Sequence, residues 1–164
     1  MKRFLTSLLV LTTIACGLGP YAFAAAEGDS EEVAVAIVVH PQTSVGDLSM
    51  DQLRRIFLAE QQFWGDNSRI TLLVSAPGAL ERDLVLDRIY QMDEGEFRQY
   101  WIAKMFRAEV PSGPKIVFST NMAIDLVTAI KGSISFINAS ELNDDARVIP
   151  IDGLLPNDAG YPLK

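Results

Sequence analysis

The chain has 164 residues, 49% of them hydrophobic and 21% charged, with a formal net charge of −7, one histidine and one cysteine. That acidity argues against nucleic acid and anionic membrane surfaces as partners. The lone histidine and lone cysteine argue against a zinc site and against a disulfide framework, and no cofactor is implied.

Lys2 and Arg3 precede an apolar run from Phe4 to Ile14, and Ala22-Phe23-Ala24 is a small-x-small cleavage site. This is the pattern of a secretory signal peptide over residues 1–24, with an apolar run too short to span a bilayer. Cys16 offers a rival, a lipoprotein acylated on its first mature residue, but Thr13 stands where leucine is usual in that signal. Cleavage after Ala24 is the favoured reading and implies a periplasmic protein. The mature chain then carries 12 basic and 21 acidic residues, net −9, and no cysteine.

Residues 25–32 are small and acidic, a flexible lead-in. Val33 to Val39 is a continuous β-branched run, as expected of a strand covered on both faces. Ser49 should cap the next helix, with Gln52 completing a capping box and Leu48 and Leu53 forming a hydrophobic staple. Met50, Leu53, Ile56 and Phe57 supply its apolar stripe. After the turn residues Gly65-Asp66-Asn67-Ser68, a second strand is expected over Arg69 to Val74, and a helix from about Leu80 to Tyr90.

Asp93 should cap a third helix, with Glu96 at the capping-box position and a buried face of Phe97, Tyr100, Trp101, Met105 and Phe106. A third strand is expected over Lys115 to Phe118. Ser119, Thr120 or Asn121 should cap a helix reaching Ile130, ended by Gly132 at C′. Further strands are expected at Ser133 to Ile137 and Arg147 to Ile151. The domain is thus placed at residues 33–151, followed by an irregular tail, 152–164. The alternation predicts one three-layer α/β/α domain with a mostly parallel sheet of about five strands.

Ligands of open α/β sheets bind beyond the carboxyl ends of the strands. The residues expected there are His40, Pro41, Thr43 and Ser44; then Ser75, Pro77 and Gly78; then Ser119, Thr120 and Asn121; then Asn138. Hydroxyls and free N–H groups at helix starts suit a small oxyanion. Arg69 and Lys115 open strands and belong to the other edge, so only Arg82 is placed to reach this one. Ser, Thr and Asn are also the ordinary capping residues, which is the plainer account of them. No triad can be assembled around His40, so an enzyme is not expected.

Three stretches carry a family resemblance: "LSMDQLRRIFLAEQQFWGDNSRITLLV", "ALERDLVLDRIYQMDEGEFRQYWIAKMF" and "AIDLVTAIKGSISFINASEL". In this order they resemble phosphate-type periplasmic solute-binding proteins in a short, single-lobe form, over roughly residues 34–140. The resemblance implies the fold of one lobe of a type 2 periplasmic-binding protein. It also implies a phosphate ligand and an ABC permease as partner. The chain departs from the family where an arginine and Ser-Gly-Thr hold phosphate, reading Ser75-Ala76-Pro77-Gly78-Ala79-Leu80 instead.

Two functions remain open. One is a solute-binding protein that holds an oxyanion such as phosphate through Ser75, Gly78, Ser119, Thr120 and Asn121, with pairing in a homodimer able to rebuild a cleft. The other is an envelope interaction or sensory module that kept the fold and lost the ligand.

Overall fold

The computed structural model describes residues 33–164. The expected signal peptide, the lead-in and Cys16 lie outside the described residues. Five strands form one sheet: β1 (Val35–Val39), β2 (Thr71–Ser75), β3 (Lys115–Val117), β4 (Ser133–Asn138) and β5 (Arg147–Val148). Their order is β3-β2-β4-β1-β5. β2 lies parallel to both β3 and β4, whereas β1 pairs antiparallel with β4 and β5. Four strands therefore run one way, and β1 alone runs against them.

Helices cover both faces. α1 (Met50–Phe57), α2 (Leu80–Val85) and α3 (Glu94–Phe106) pack on one side, where Leu53, Ile56, Phe57, Val85 and Phe97 meet Val35, Ile37, Val74 and Phe136. α4 (Thr120–Ala129) covers the other, with Ala123, Ile124 and Val127 against Ala36, Val38, Leu73 and Ile137. Side chains alternate across each strand, so neighbouring residues of β1 enter different cores. The expected α/β/α layering is present. Among the described residues no helix is long and apolar enough to cross a membrane.

The capping boxes form as read. Ser49 accepts from Gln52 N at 3.2 Å and Asp93 from Glu96 N at 2.8 Å, each with the reciprocal bond. Elsewhere the helices depart from expectation. The segment expected as one helix from Leu80 to Tyr90 is α-helical only to Val85, then widens into a π-turn, Leu86–Tyr90, ended by left-handed Gln91. On α3, Phe106 is 91% exposed and Met105 is also exposed, while Lys104 is buried. Its ammonium sits 3.2 Å from Glu109 and over the Tyr100 ring, so the ion pair and the ring together replace its lost water.

Gly132, expected at C′, lies one residue further on, since Ile130 is the C-cap; it has φ +78, and a Cβ there would meet Arg69 O at 2.4 Å. Residues 152–164 contain no helix or strand, yet they belong to the core. Tyr161 and Leu163 are buried, Tyr161 donates to Val35 O at 2.8 Å, and Val35 N donates to Leu163 O at 2.9 Å.

Candidate functional site

Because β2 and β3 are parallel neighbours, with Ser75 in register with Val117, both strands end at the same sheet edge. The loop after β2 crosses to β3 through Ala76 N, which donates to Val117 O at 2.8 Å, and turns at Gly78. Gly78 has φ +91, and nothing lies within 4 Å of the point where a Cβ would stand. The backbone there is open to solvent and unobstructed.

Ser119 is extended, at φ −158 and ψ 159, and caps α4 by accepting from Met122 N at 3.2 Å. That bond uses its oxygen as acceptor and leaves its hydroxyl hydrogen available. The N–H groups of Thr120 and Asn121, in the first turn of α4, have no acceptor among the described residues. The sheet thus gathers all five expected residues, Ser75, Gly78, Ser119, Thr120 and Asn121, along one edge. Asn138 ends β4 at the same edge, but its side-chain oxygen already accepts from Ser140 N and Ser140 Oγ.

The residues after β1 are elsewhere. Since β1 is reversed, Val39 pairs with Ile134 at the start of β4, and His40, Pro41, Thr43 and Ser44 fall at the opposite edge. There His40 Nδ1 accepts from Gln42 N at 3.1 Å, and Arg147 donates to the carbonyls of Pro41, Thr43 and Val45. Both are loop-building contacts.

Arg82 is also unavailable. It is 2% exposed, donates from Nε and Nη2 to Glu94 at 2.9 and 3.0 Å, and gives Nη1 to Ser75 O. Its guanidinium also lies 4.7 Å from the Phe97 ring centroid. The one cation expected at the edge is therefore committed to the protein's own interior. Glu94 is a residue that sequence reasoning leaves out, since an acid in the first turn of α3 is accounted for by the helix dipole alone.

The edge is open. None of the cavities of about 940, 570, 280 and 240 Å³ is lined by Ser75, Gly78, Ser119 or Thr120. Asn121 borders the 570 Å³ cavity beside Asp125 and Asp145, an unfavourable setting for an anion. Apolar side chains flank the donors instead: Leu80 is 66% exposed, Phe118 77% and Met122 36%. Among the described residues no group of three or more His, Cys, Asp or Glu is placed to hold a metal ion.

No protein-family model matches the sequence, and no curated protein does. Solved structures match the fold. They include PstS from Borrelia burgdorferi (TM-score 0.64, 14% identity, 80% of this chain and 54% of that one). An ABC-type phosphate transport receptor from Vibrio cholerae is similar (TM-score 0.61, 16% identity, 76% and 48%). So is a phosphate binding protein from Stenotrophomonas maltophilia (TM-score 0.57, 13% identity, 78% and 41%). The chain spans about half the length of these structures. It has the fold of about one half of a phosphate-transport receptor, as the sequence resemblance implied.

Proposed function

We propose that this chain is an exported, non-enzymatic solute-binding-like protein that holds a small oxyanion, phosphate in the first instance, at the edge formed by β2 and β3. The observation that carries this reading is the start of α4, where the Thr120 and Asn121 N–H groups lack acceptors beside the Ser119 hydroxyl. The phosphate-receptor likeness supports it at the level of the fold. A helix N-terminus favours an anion through its aligned N–H groups. With Arg82 sequestered by Glu94, the site offers hydrogen bonds but no charged partner, so the affinity belongs in the millimolar range. Periplasmic export and presentation to an ABC permease complete this reading. Isothermal titration with phosphate, alongside sulfate, tests it: saturable phosphate heat supports binding, and no heat at millimolar phosphate removes it.

A second reading, an interaction module without a ligand, is favoured by exposed Leu80, Phe118 and Met122 around the same edge. A second copy of the chain is the simplest cover. Sedimentation of the native protein and of Phe118→Asp tests this reading: a dimer dissociated by the substitution supports it, and a native monomer at every concentration counts against the homodimer.

A further inference from the structure

At the sheet edge opposite the proposed oxyanion site, Trp101, Arg69 and Lys115 border a cavity of about 240 Å³. Its apolar wall includes Ile56, Leu72 and Val110, all buried. This volume lies just below the usual range for drug-sized ligands and suits only a smaller one, and an apolar wall with a few polar groups is the usual composition of such sites.

Three observations distinguish this cavity from an ordinary packing gap. No Asp or Glu lines it, in a chain whose net charge is −7. Arg69 and Lys115 are the only charged residues that line it, and neither has an ion-pair partner among the described residues. Trp101 is 6% exposed, and its indole N–H is buried without an acceptor. The contrast with Trp64 is direct, since that indole donates to Gly132 O at 2.9 Å. Buried indole N–H groups usually find a partner, and an orphaned one asks what is missing.

We propose that this cavity takes a small organic anion with a compact apolar body, a short aromatic or branched carboxylate. The body packs against Trp101, Ile56 and Val110. The carboxylate is drawn to Arg69 and Lys115, and the Trp101 ring forms part of the wall beside it. A bare inorganic anion would leave the apolar wall unused, and a neutral apolar molecule would leave the two cations unused. The proposal is independent of oxyanion binding at α4, because the two sites share no residue.

The test uses the whole ¹⁵N-labelled protein titrated with benzoate, with benzyl alcohol and inorganic phosphate as parallel arms. The expected result is a saturable shift of the Trp101 indole N–H signal with benzoate, while the Trp64 signal stays in place. Arg69 and Lys115 are exposed, so R69Q/K115Q leaves the core intact, and it should weaken benzoate by about tenfold or more. No Trp101 shift with benzoate overturns the proposal. Equal response to benzyl alcohol shows an apolar gap only, equal response to phosphate shows a bare cationic patch, and unchanged affinity in R69Q/K115Q removes the assigned cations. Each of those outcomes also overturns it.

Discussion

Arg82 and Glu94 close on each other through two hydrogen bonds, from Nε to Oε2 at 2.9 Å and from Nη2 to Oε1 at 3.0 Å. The pair ties α2 to the first turn of α3, and the third donor of Arg82 holds the end of β2 through Ser75 O. The arginine expected to reach the anion edge is thereby turned into a bracket for the loop that would carry the anion.

Breaking that bracket should be costly. Arg82→Ala is expected to lose about 3–5 kcal/mol, because it strands Ser75 O and Glu94 and opens a space beside Phe97. Glu94→Gln should lose less, about 1.5–3 kcal/mol, since the Glu94 side chain is 36% exposed and water can replace part of what it provides. Urea denaturation of the two variants checks both values. Losses below 1 kcal/mol for Arg82→Ala would mean that the pair does not hold the loop.

Two of the four left-handed glycines among the described residues, Gly78 and Gly132, should respond differently to the same change. Gly132→Ala places a Cβ 2.4 Å from Arg69 O at φ +78, so strain and collision add to about 2–4 kcal/mol. Gly78→Ala meets empty space at φ +91 and should cost only the conformational part, about 1–2 kcal/mol. Thermal unfolding of both proteins decides the matter: equal losses would contradict the contact at Gly132.

Much of this architecture was legible in the sequence because local rules decided it. Ser49 with Gln52 and Asp93 with Glu96 each satisfy backbone donors within four residues, so no tertiary information is needed. The direction of β1 was not legible. "VAIVV" is buried on both faces and reads the same whichever way it runs, and only its pairing with Ile134 to Asn138 reveals the reversal. That reversal removed His40 and Thr43 from the candidate site.

The face of α3 failed for a different reason. Phe106 looked like core by residue type, but α3 ends there, and the helical turn that packs inward offers Lys104 with its partner Glu109. Tyr161 and Leu163 were hidden because they follow Pro156 and Gly160, which mark irregular backbone without saying whether it is buried. Among the site residues, Ser119 at the cap of α4 was readable, whereas the capture of Arg82 by Glu94 across twelve residues was not.

Tyr161, with Tyr90 and Tyr100, sets an alkaline limit on stability, because burial raises the pKa of all three. The Tyr161 hydroxyl donates to Val35 O from a buried position, and burial raises its pKa above the usual tyrosine value of 10.0. The neutral form is therefore the folded form. Its contribution is complete below the unfolded pKa and is lost as pH rises from there toward the folded one. Tyr161→Phe should cost about 1–2 kcal/mol at neutral pH and flatten the loss of stability above pH 10. A denaturation series across that range checks the sign; Tyr90 and Tyr100 keep part of the slope, and a slope wholly unchanged would show that Tyr161 contributes none of it.

At the acid end, Asp66 and Glu109 carry lowered pKa values, the first through hydrogen bonds from Ser68 and the second through Arg107 and then Lys104. A depressed carboxyl pKa gives stability that is present above the unfolded value and lost as pH falls through the folded one. Both groups are exposed, so acid titration should show a shallow decline beginning near the ordinary carboxylate range. Glu109→Gln should remove part of it, with Lys104 losing its partner. A decline identical in the two proteins would assign the acid sensitivity elsewhere.

Ser119 separates capping from anion binding. Asp is an equally good cap, so Ser119→Asp should keep α4 and leave stability within about 0.5 kcal/mol of the parent. The same substitution puts a carboxylate where the oxyanion would sit and should abolish phosphate binding by like-charge repulsion. Ser119→Ala should instead lose about 1 kcal/mol of stability together with part of the affinity. Phosphate binding that survives Ser119→Asp unchanged would place the anion somewhere other than the start of α4.

The most direct measurement is a phosphate titration of the ¹⁵N-labelled protein, following the backbone N–H signals of Thr120 and Asn121. The account predicts saturable shifts at these two residues and at Gly78, in the millimolar range, with sulfate weaker and Ser119→Asp silent. Signals that stay fixed through millimolar phosphate, or that move only at residues away from this edge, would contradict it.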